Sequence, residues 1–200
     1  MTQGGVEWGM AARPAAGETE CGDAALVQEC ALGVVAAAID GIGHGPEAAR
    51  AARIAIHALN EPQDDLHATA RQCHRALEGT RGAALTLAAF DAKSDLMTWI
   101  GIGNVEARLL RARSAGGNAE SLLLRPGIAG DDFPESPAST TPVERGDLLV
   151  LATDGLNSGF DADIAHEGSC EQIAQQLLER HGAPADDALV LVLRYLGGGR

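Results

Sequence analysis

The 200-residue sequence predicts an α+β sandwich, with helices segregated onto the faces of antiparallel sheets. Three observations carry the prediction. Strand-like segments come first, two helical stretches follow, and then a run of strands, one helix and a closing strand complete the chain. Alanine contributes 37 residues and glycine 25, while Phe, Trp and Tyr together number six, so the core must be tiled from small side chains that let layers pack close. The length is that of one ordinary domain, residues 1–200, able to bury roughly 70% of its unfolded surface without a disulfide or metal to hold it together.

Taken in order, Val6, Trp8 and Met10 alternate as a strand should. Ala24–Val27 and Gly33–Ile39 read as two strands joined by a short polar turn, the second apolar on both faces and hence central. From Pro46 to Leu59 the period becomes helical, with Ala49, Ala52, Ile56 and Leu59 on one stripe, Pro46 in the first turn and Glu47 near the positive helix end. Asp64 or Asp65 caps a second helix, whose stripe is Leu66, Ala70, Cys73 and Leu77 and which Gly79 ends. β signals then cover Ala83–Phe90, Leu96–Ile102, Ala107–Arg111, Ser121–Leu124, weakly Thr140–Val143, and Leu148–Ala152, which together suggest a meander. Gly116-Gly117-Asn118 reads as a turn, and Arg125–Pro142 as a long surface connection with at most short structure. Ser169-Cys170-Glu171-Gln172 is a capping box that opens a third helix running to His181-Gly182. Ala188–Leu196 is the final strand, and the first few residues and Gly197–Arg200 are loose ends.

Fifteen Lys and Arg against 28 Asp and Glu give a formal charge of −13, which argues against nucleic acid or an anionic membrane as the main partner. The acid is either spread for solubility or partly gathered for cations. MTQGGVEWGM has neither a basic nor an apolar leader region, and no apolar stretch approaches a membrane span, so a cytoplasmic protein is expected. Cys21, Cys30, Cys73 and Cys170 form no C-x-x-C pair and read as reduced, small buried residues. Adjacent helix positions point about 100° apart, so Cys73 and His74 do not read as joint metal ligands.

Four aspartates mark strand ends. Asp23 and Asp186 precede strands, whereas Asp40 and Asp154 finish them, so antiparallel neighbours would gather all four at one edge. Unpaired, such a cluster repels itself and raises its own pKa values. Hard divalent cations, which prefer carboxylate, carbonyl and water oxygens, resolve the conflict. The plainer reading of Asp40-Gly41 or Asp154-Gly155 alone is a turn; their matched contexts after strongly apolar strands favour more than that, and Gly after Asp leaves a carbonyl accessible.

These segments resemble a known family. Gly22-Asp23, Asp40-Gly41-Ile42-Gly43-His44-Gly45, Ala152-Thr153-Asp154-Gly155-Leu156 and Asp186-Asp187 before a terminal strand are similar, in order and spacing, to the motifs of the metal-dependent protein serine/threonine phosphatases (PPM family), specifically the SpoIIE branch. Arg81-Gly82-Ala83 and Gly101-Ile102-Gly103-Asn104-Val105 extend the likeness over nearly the whole chain, and the compact length without a sensor segment is most similar to the stand-alone phosphatases of stressosome signalling. The resemblance implies a four-layer αββα sandwich of two antiparallel sheets flanked by helices. It implies two Mn²⁺ or Mg²⁺ ions, with Asp40 bridging, the Gly41 carbonyl as a further ligand, Asp154 and Asp186 on one ion and Asp23 by the other; Asp187 is the alternative to Asp186. Two such ions lower the pKa of a bridging water and hold it for in-line attack on a phosphomonoester. The implied substrate is a phosphorylated STAS-domain regulator of a partner-switching pathway, or alternatively an anti-sigma-factor antagonist in another such pathway; a non-catalytic phosphoprotein-binding module is a third reading, against which the full aspartate set weighs.

The pattern departs from larger relatives in several places. Ile42 stands where they often carry His; His44, two residues on, can protonate the leaving serine oxygen, stabilise the loop or cap the helix. Arg13 is no secure counterpart of their phosphate-binding Arg and reads as a solvated loop residue. Leu189 replaces a common Thr, a change expected to affect packing more than chemistry. The 31 residues between Asp154 and Asp186 leave no room for a flap or for third-metal ligands. The Ala-rich helix after the metal loop reads as a tight packing element; the resemblance adds that it can shift against the sheet and alter metal occupancy.

Overall fold

A computed structural model describes residues 1–113, 119–134 and 137–198. Two antiparallel sheets face each other. The first is built from β1 (Thr2–Gln3), β2 (Val6–Arg13), β7 (Glu106–Leu110), β8 (Glu120–Ser121), β10 (Leu148–Ala152) and β11 (Ala188–Tyr195), in the order β1-β2-β11-β10-β7-β8. The second comprises β3 (Asp23–Cys30), β4 (Gly33–Gly41), β5 (Ala83–Asp91), β6 (Leu96–Ile102) and β9 (Ser139–Pro142), in sequence order. Helices α1 (Pro46–Leu59) and α2 (Leu66–Leu77) cover the outer face of the second sheet, and α3 (Cys170–His181) covers that of the first. The four layers are therefore α, β, β, α, as the resemblance implies.

The period-2 geometry of a strand explains the layering. On β4, Val34, Ala36 and Ala38 face the other sheet together with Leu149, Leu151, Leu189 and Leu191, whereas Val35, Ala37 and Ile39 face α1 and α2. β4 is buried on both sides because both sides are covered, and it lies inside the sheet between β3 and β5. Across the first sheet, Val150, Ala152, Val190 and Val192 pack beneath Ile173, Ala174 and Leu177 of α3.

Helix signals are realised at the residue level. Asp65, not Asp64, is the cap of α2 and accepts from the Ala68 N–H at 2.7 Å. Ser169 and Gln172 form the reciprocal capping box of α3. The predicted meander is not one sheet: β5 and β6 stay in the second sheet, β7, β8 and β10 belong to the first, and β9 returns to the edge of the second. Apolar alternation defines a strand but not which of two equivalent layers receives it, hence the error. Ser121–Leu124 shortens to β8, because Arg125 leaves for the other sheet and bridges to Ile102 there. Strand β1 and a 3₁₀ turn at Phe160–Asp163 were not anticipated. The expected turn at Gly116-Gly117-Asn118 and the end of the tail, Gly199 and Arg200, lie outside the described residues. Cys73 and Cys170 are buried as expected, whereas Cys21 and Cys30 are only partly so; small side chains near an edge strand do not need full burial. No helix among the described residues is long and apolar enough to cross a membrane.

The small-residue composition acts where α1 meets the sheet. Ala48, Ala49, Ala51, Ala52 and Ala55 are buried, and the helix backbone comes so close that a Cβ on Gly41 would collide with the Ala48 carbonyl. Gly41→Ala is therefore expected to destabilise the protein by about 1–3 kcal/mol through overpacking. A denaturant midpoint equal to that of the unmodified protein would refute this account of the glycine.

Candidate metal centre

Asp23 opens β3 and Asp40 sits near the end of β4, and the two are direct partners in the antiparallel register. In the facing sheet, Ala152 of β10 pairs with Val190 of β11, which places Asp154, just past β10, beside Asp186, just before β11. The four aspartates thus gather at one end of the sandwich, but as two pairs from two sheets; the expectation of a single sheet edge is corrected. A sequence shows which strands start or finish with Asp, but not that the strands divide between layers.

The first pair is buried and the second is more open. Burial, assisted by the charges of Asp187, Asp154 and Asp186, pushes the Asp23 carboxyl up to about 7 despite a hydrogen bond from Thr153. Burial and then the charges of Asp23, Asp154 and Asp186 push Asp40 up to about 8, and its carboxyl lies within hydrogen-bonding reach of that of Asp154. Asp154 is raised too, by partial burial and then by Asp186. Among the described residues no Arg, Lys or His forms an ion pair with any of the four. Nor do three carboxylate, imidazole or thiol groups among the described residues close into a ready-made cage. An open set of oxygen donors, short of positive charge, fits hard divalent cations that keep part of their water shell.

The aspartates are held by neutral donors. Thr153 Oγ1 donates to Asp23 Oδ2 at 2.6 Å, Asn104 Nδ2 to Asp154 Oδ2 at 2.7 Å, and the Asp187 N–H to Asp186 Oδ1 at 2.9 Å. Asp187, the alternative ligand, is buried, and its two oxygens accept from the N–H groups of Ala15 and Gly22 at 2.8 and 2.9 Å, pinning both ends of the loop that leads into Asp23. Gly155 has no room for a side chain, because a Cβ there would strike the Asp187 carbonyl.

The remaining predicted residues are placed as follows. Gly41 lies in β4, and its N–H donates to the Gly22 carbonyl at 3.1 Å. His44 does not cap α1, whose N-cap is Gly45 without a side-chain bond; its Nδ1 instead meets Glu18 Oε1 on the rim of the aspartate end. Arg13 is not a solvated loop residue: it ends β2 opposite Ala188, and its Nη2 is buried without a hydrogen-bond partner. Leu189 is fully buried between the sheets, as a packing residue should be. Cys73 is buried in the helix layer while His74 Nδ1 accepts from the Gly130 N–H, so the two diverge. Sequence reasoning assigned no role to Thr153, Asn104 or Glu18. A polar Thr ending the apolar run Leu148–Ala152 is the one signal that could have pointed to the first.

The family model for stage II sporulation protein E (SpoIIE) matches residues 32–196. A solved structure described with the bacterial stressosome, a modular system adapted to control secondary messenger signalling, is 34% identical, with a TM-score of 0.85 over 94% of this chain and 99% of that one. RsbX in complex with magnesium is 21% identical, with a TM-score of 0.83 over 97% of each chain. The catalytic domain of the serine/threonine protein phosphatase PstP with two manganese ions is 20% identical, with a TM-score of 0.74 over 96% of this chain and 98% of that one. No curated protein sequence matches the chain. With the family match spanning most of the sequence and the sandwich carrying its aspartates at one end, the chain belongs to the SpoIIE family of PPM-type protein serine/threonine phosphatases.

Proposed function

We propose that this phosphatase removes phosphate from phosphoserine or phosphothreonine of a STAS-domain regulator in a partner-switching pathway of the stressosome type, using two Mn²⁺ or Mg²⁺ ions. Asp40 would bridge the ions, with the Gly41 carbonyl, Asp154 and Asp186 as further ligands and Asp23 beside the second ion. The observation that carries the reading is the buried pair Asp23 and Asp40, whose carboxyls are pushed up to about 7 and 8 with no ion-paired cation among the described residues. The magnesium in RsbX and the two manganese ions in PstP, proteins of the same fold, support the choice of ions. The stressosome setting of the 34% identical relative supports the choice of pathway.

Bound divalent cations supply Lewis acidity and an activated water at neutral pH. The chain's own residues do the rest. Asp23 and Asp40 set where charge can be concentrated. Asn104 fixes the rotamer of Asp154, and Asp187 draws the loop at Ala15–Gly22 against the site. With Nδ1 engaged by Glu18, Nε2 is the ring nitrogen of His44 that would donate a proton to the departing serine oxygen, which otherwise leaves as a poor, strongly basic alkoxide. The exposed, aromatic-poor rim suits a folded protein substrate better than a small molecule that needs a deep pocket.

Incubation with a phosphorylated STAS-domain protein should release phosphate only when Mn²⁺ or Mg²⁺ is present. Asp40→Asn and Asp154→Asn should each lower the rate by about 100-fold or more. Activity that survives both changes would sink the metal mechanism, and binding of the phosphoprotein without turnover would identify a non-catalytic partner.

The raised carboxyls also set the sign of a pH effect. Folded Asp23 and Asp40 hold protons more tightly than their unfolded counterparts at about 3.9. Without divalent ions, the stability they contribute is therefore present in acid and lost as pH rises through about 7 to 8. Chelator-treated protein should lose about 1–2 kcal/mol more between pH 6 and pH 8 than Asp40→Asn does, and Mn²⁺ should restore stability to the former only. Thermal melts with parallel pH dependence for the two proteins would contradict this.

A further inference from the structure

We propose that Thr153 and Asn104 are positioning residues of the metal centre, neutral hydrogen-bond donors that each occupy one oxygen of an aspartate and leave the other for a cation. The inference rests on the metal-centre reading above and adds residues to which that reading gives no ligand role.

The Thr153 hydroxyl has one proton and two lone pairs. The Leu189 N–H fills one lone pair at 2.8 Å. The proton then has two possible acceptors, Asp23 Oδ2 at 2.6 Å and the Leu189 carbonyl at 3.4 Å. The shorter, charge-assisted bond takes it, so the hydroxyl is locked in one direction: fed by β11 of the first sheet and aimed at a carboxylate of the second. Thr153 is buried, so water does not compete for this geometry. It ties Asp23 to the sheet that carries Asp154 and Asp186, across 130 residues of sequence.

Asn104 repeats the device from the turn between β6 and β7. Its amide nitrogen donates to Asp154 Oδ2 at 2.7 Å, and the Asp187 N–H does the same for Asp186 Oδ1. Three of the four aspartates therefore have one oxygen claimed by an uncharged donor. The absence of charge matters: an Arg or Lys at any of these places would neutralise the carboxylate and compete with a divalent ion, whereas a hydroxyl or amide orients it and leaves its negative charge in place. Donors behind ligands set metal affinity by this means.

The test is Mn²⁺ binding to the full-length protein by calorimetry, without substrate. Thr153→Val and Asn104→Ala should each weaken Mn²⁺ binding by about 10–100-fold. Thr153→Ser, which keeps the hydroxyl, should stay within about threefold of the unmodified protein. If Thr153→Val does not fold, Asn104→Ala, at an exposed residue, carries the test alone. Unchanged Mn²⁺ affinity in Asn104→Ala and Thr153→Val overturns the inference, as does an equal loss in Thr153→Ser and Thr153→Val. An unmodified protein that binds no Mn²⁺ overturns the proposed function itself.

Discussion

Asp23 and Asp40 are like charges set side by side by strand register and then buried, and much of the molecule follows from that unfavourable placement. A carboxylate taken out of water without a partner costs several kcal/mol or gives up its charge. Among the described residues neither an arginine nor a lysine pairs with Asp23 or Asp40. The chain places two further aspartates across the gap between the sheets, which deepens the conflict and raises the carboxyls of Asp40 and Asp154 as well. An arrangement so costly to the empty protein is consistent with a site selected for binding a cation.

Such a site can persist because everything around it is packed without slack. The strands behind the aspartates are nearly continuous in Ala, Val, Leu and Ile, buried on both faces. Alanines on β4 and α1 let a helix backbone approach the aspartate end closely enough that Gly41 has no alternative residue. Close-packed interiors resist the small displacements by which repelling groups would otherwise separate. The scarcity of aromatic residues is part of the same design: large rings between the layers would hold the sheets and helices further apart.

How much of this was legible in the sequence varies with the length scale of the cause. Pro46, Asp65 and Ser169 act within one helical turn, and each helix begins where they indicate. The strands Leu96–Ile102 and Leu148–Ala152 stand out as short apolar segments. Layer membership does not, because Val150 and Ala88 obey the same alternation in different sheets. The four aspartates were legible because each stands at a strand end in a repeated local context. Thr153 was not, because its role exists only once Asp23, 130 residues away, is folded against it; the same holds for Glu18 and His44. Arg13 was misread for a related reason, since only the β2–β11 pairing removes it from solvent.

The neighbours Asp186 and Asp187 show how hydrogen bonding divides labour between identical side chains. Asp186 lies in a bend and Asp187 just before β11, and their carboxylates find different partners. Asp187 turns inward and spends both oxygens on the N–H groups of Ala15 and Gly22. Its charge is then balanced by backbone dipoles, and it has little left to offer an ion. Asp186 remains partly open, with one oxygen held by the Asp187 N–H. A carboxylate whose oxygens are both claimed by the backbone is a structural anchor, and one with an oxygen to spare keeps the capacity to bind a cation. By that criterion Asp186 is the member of the pair that the proposed centre can use, and Asp187 is what keeps the loop before Asp23 in place.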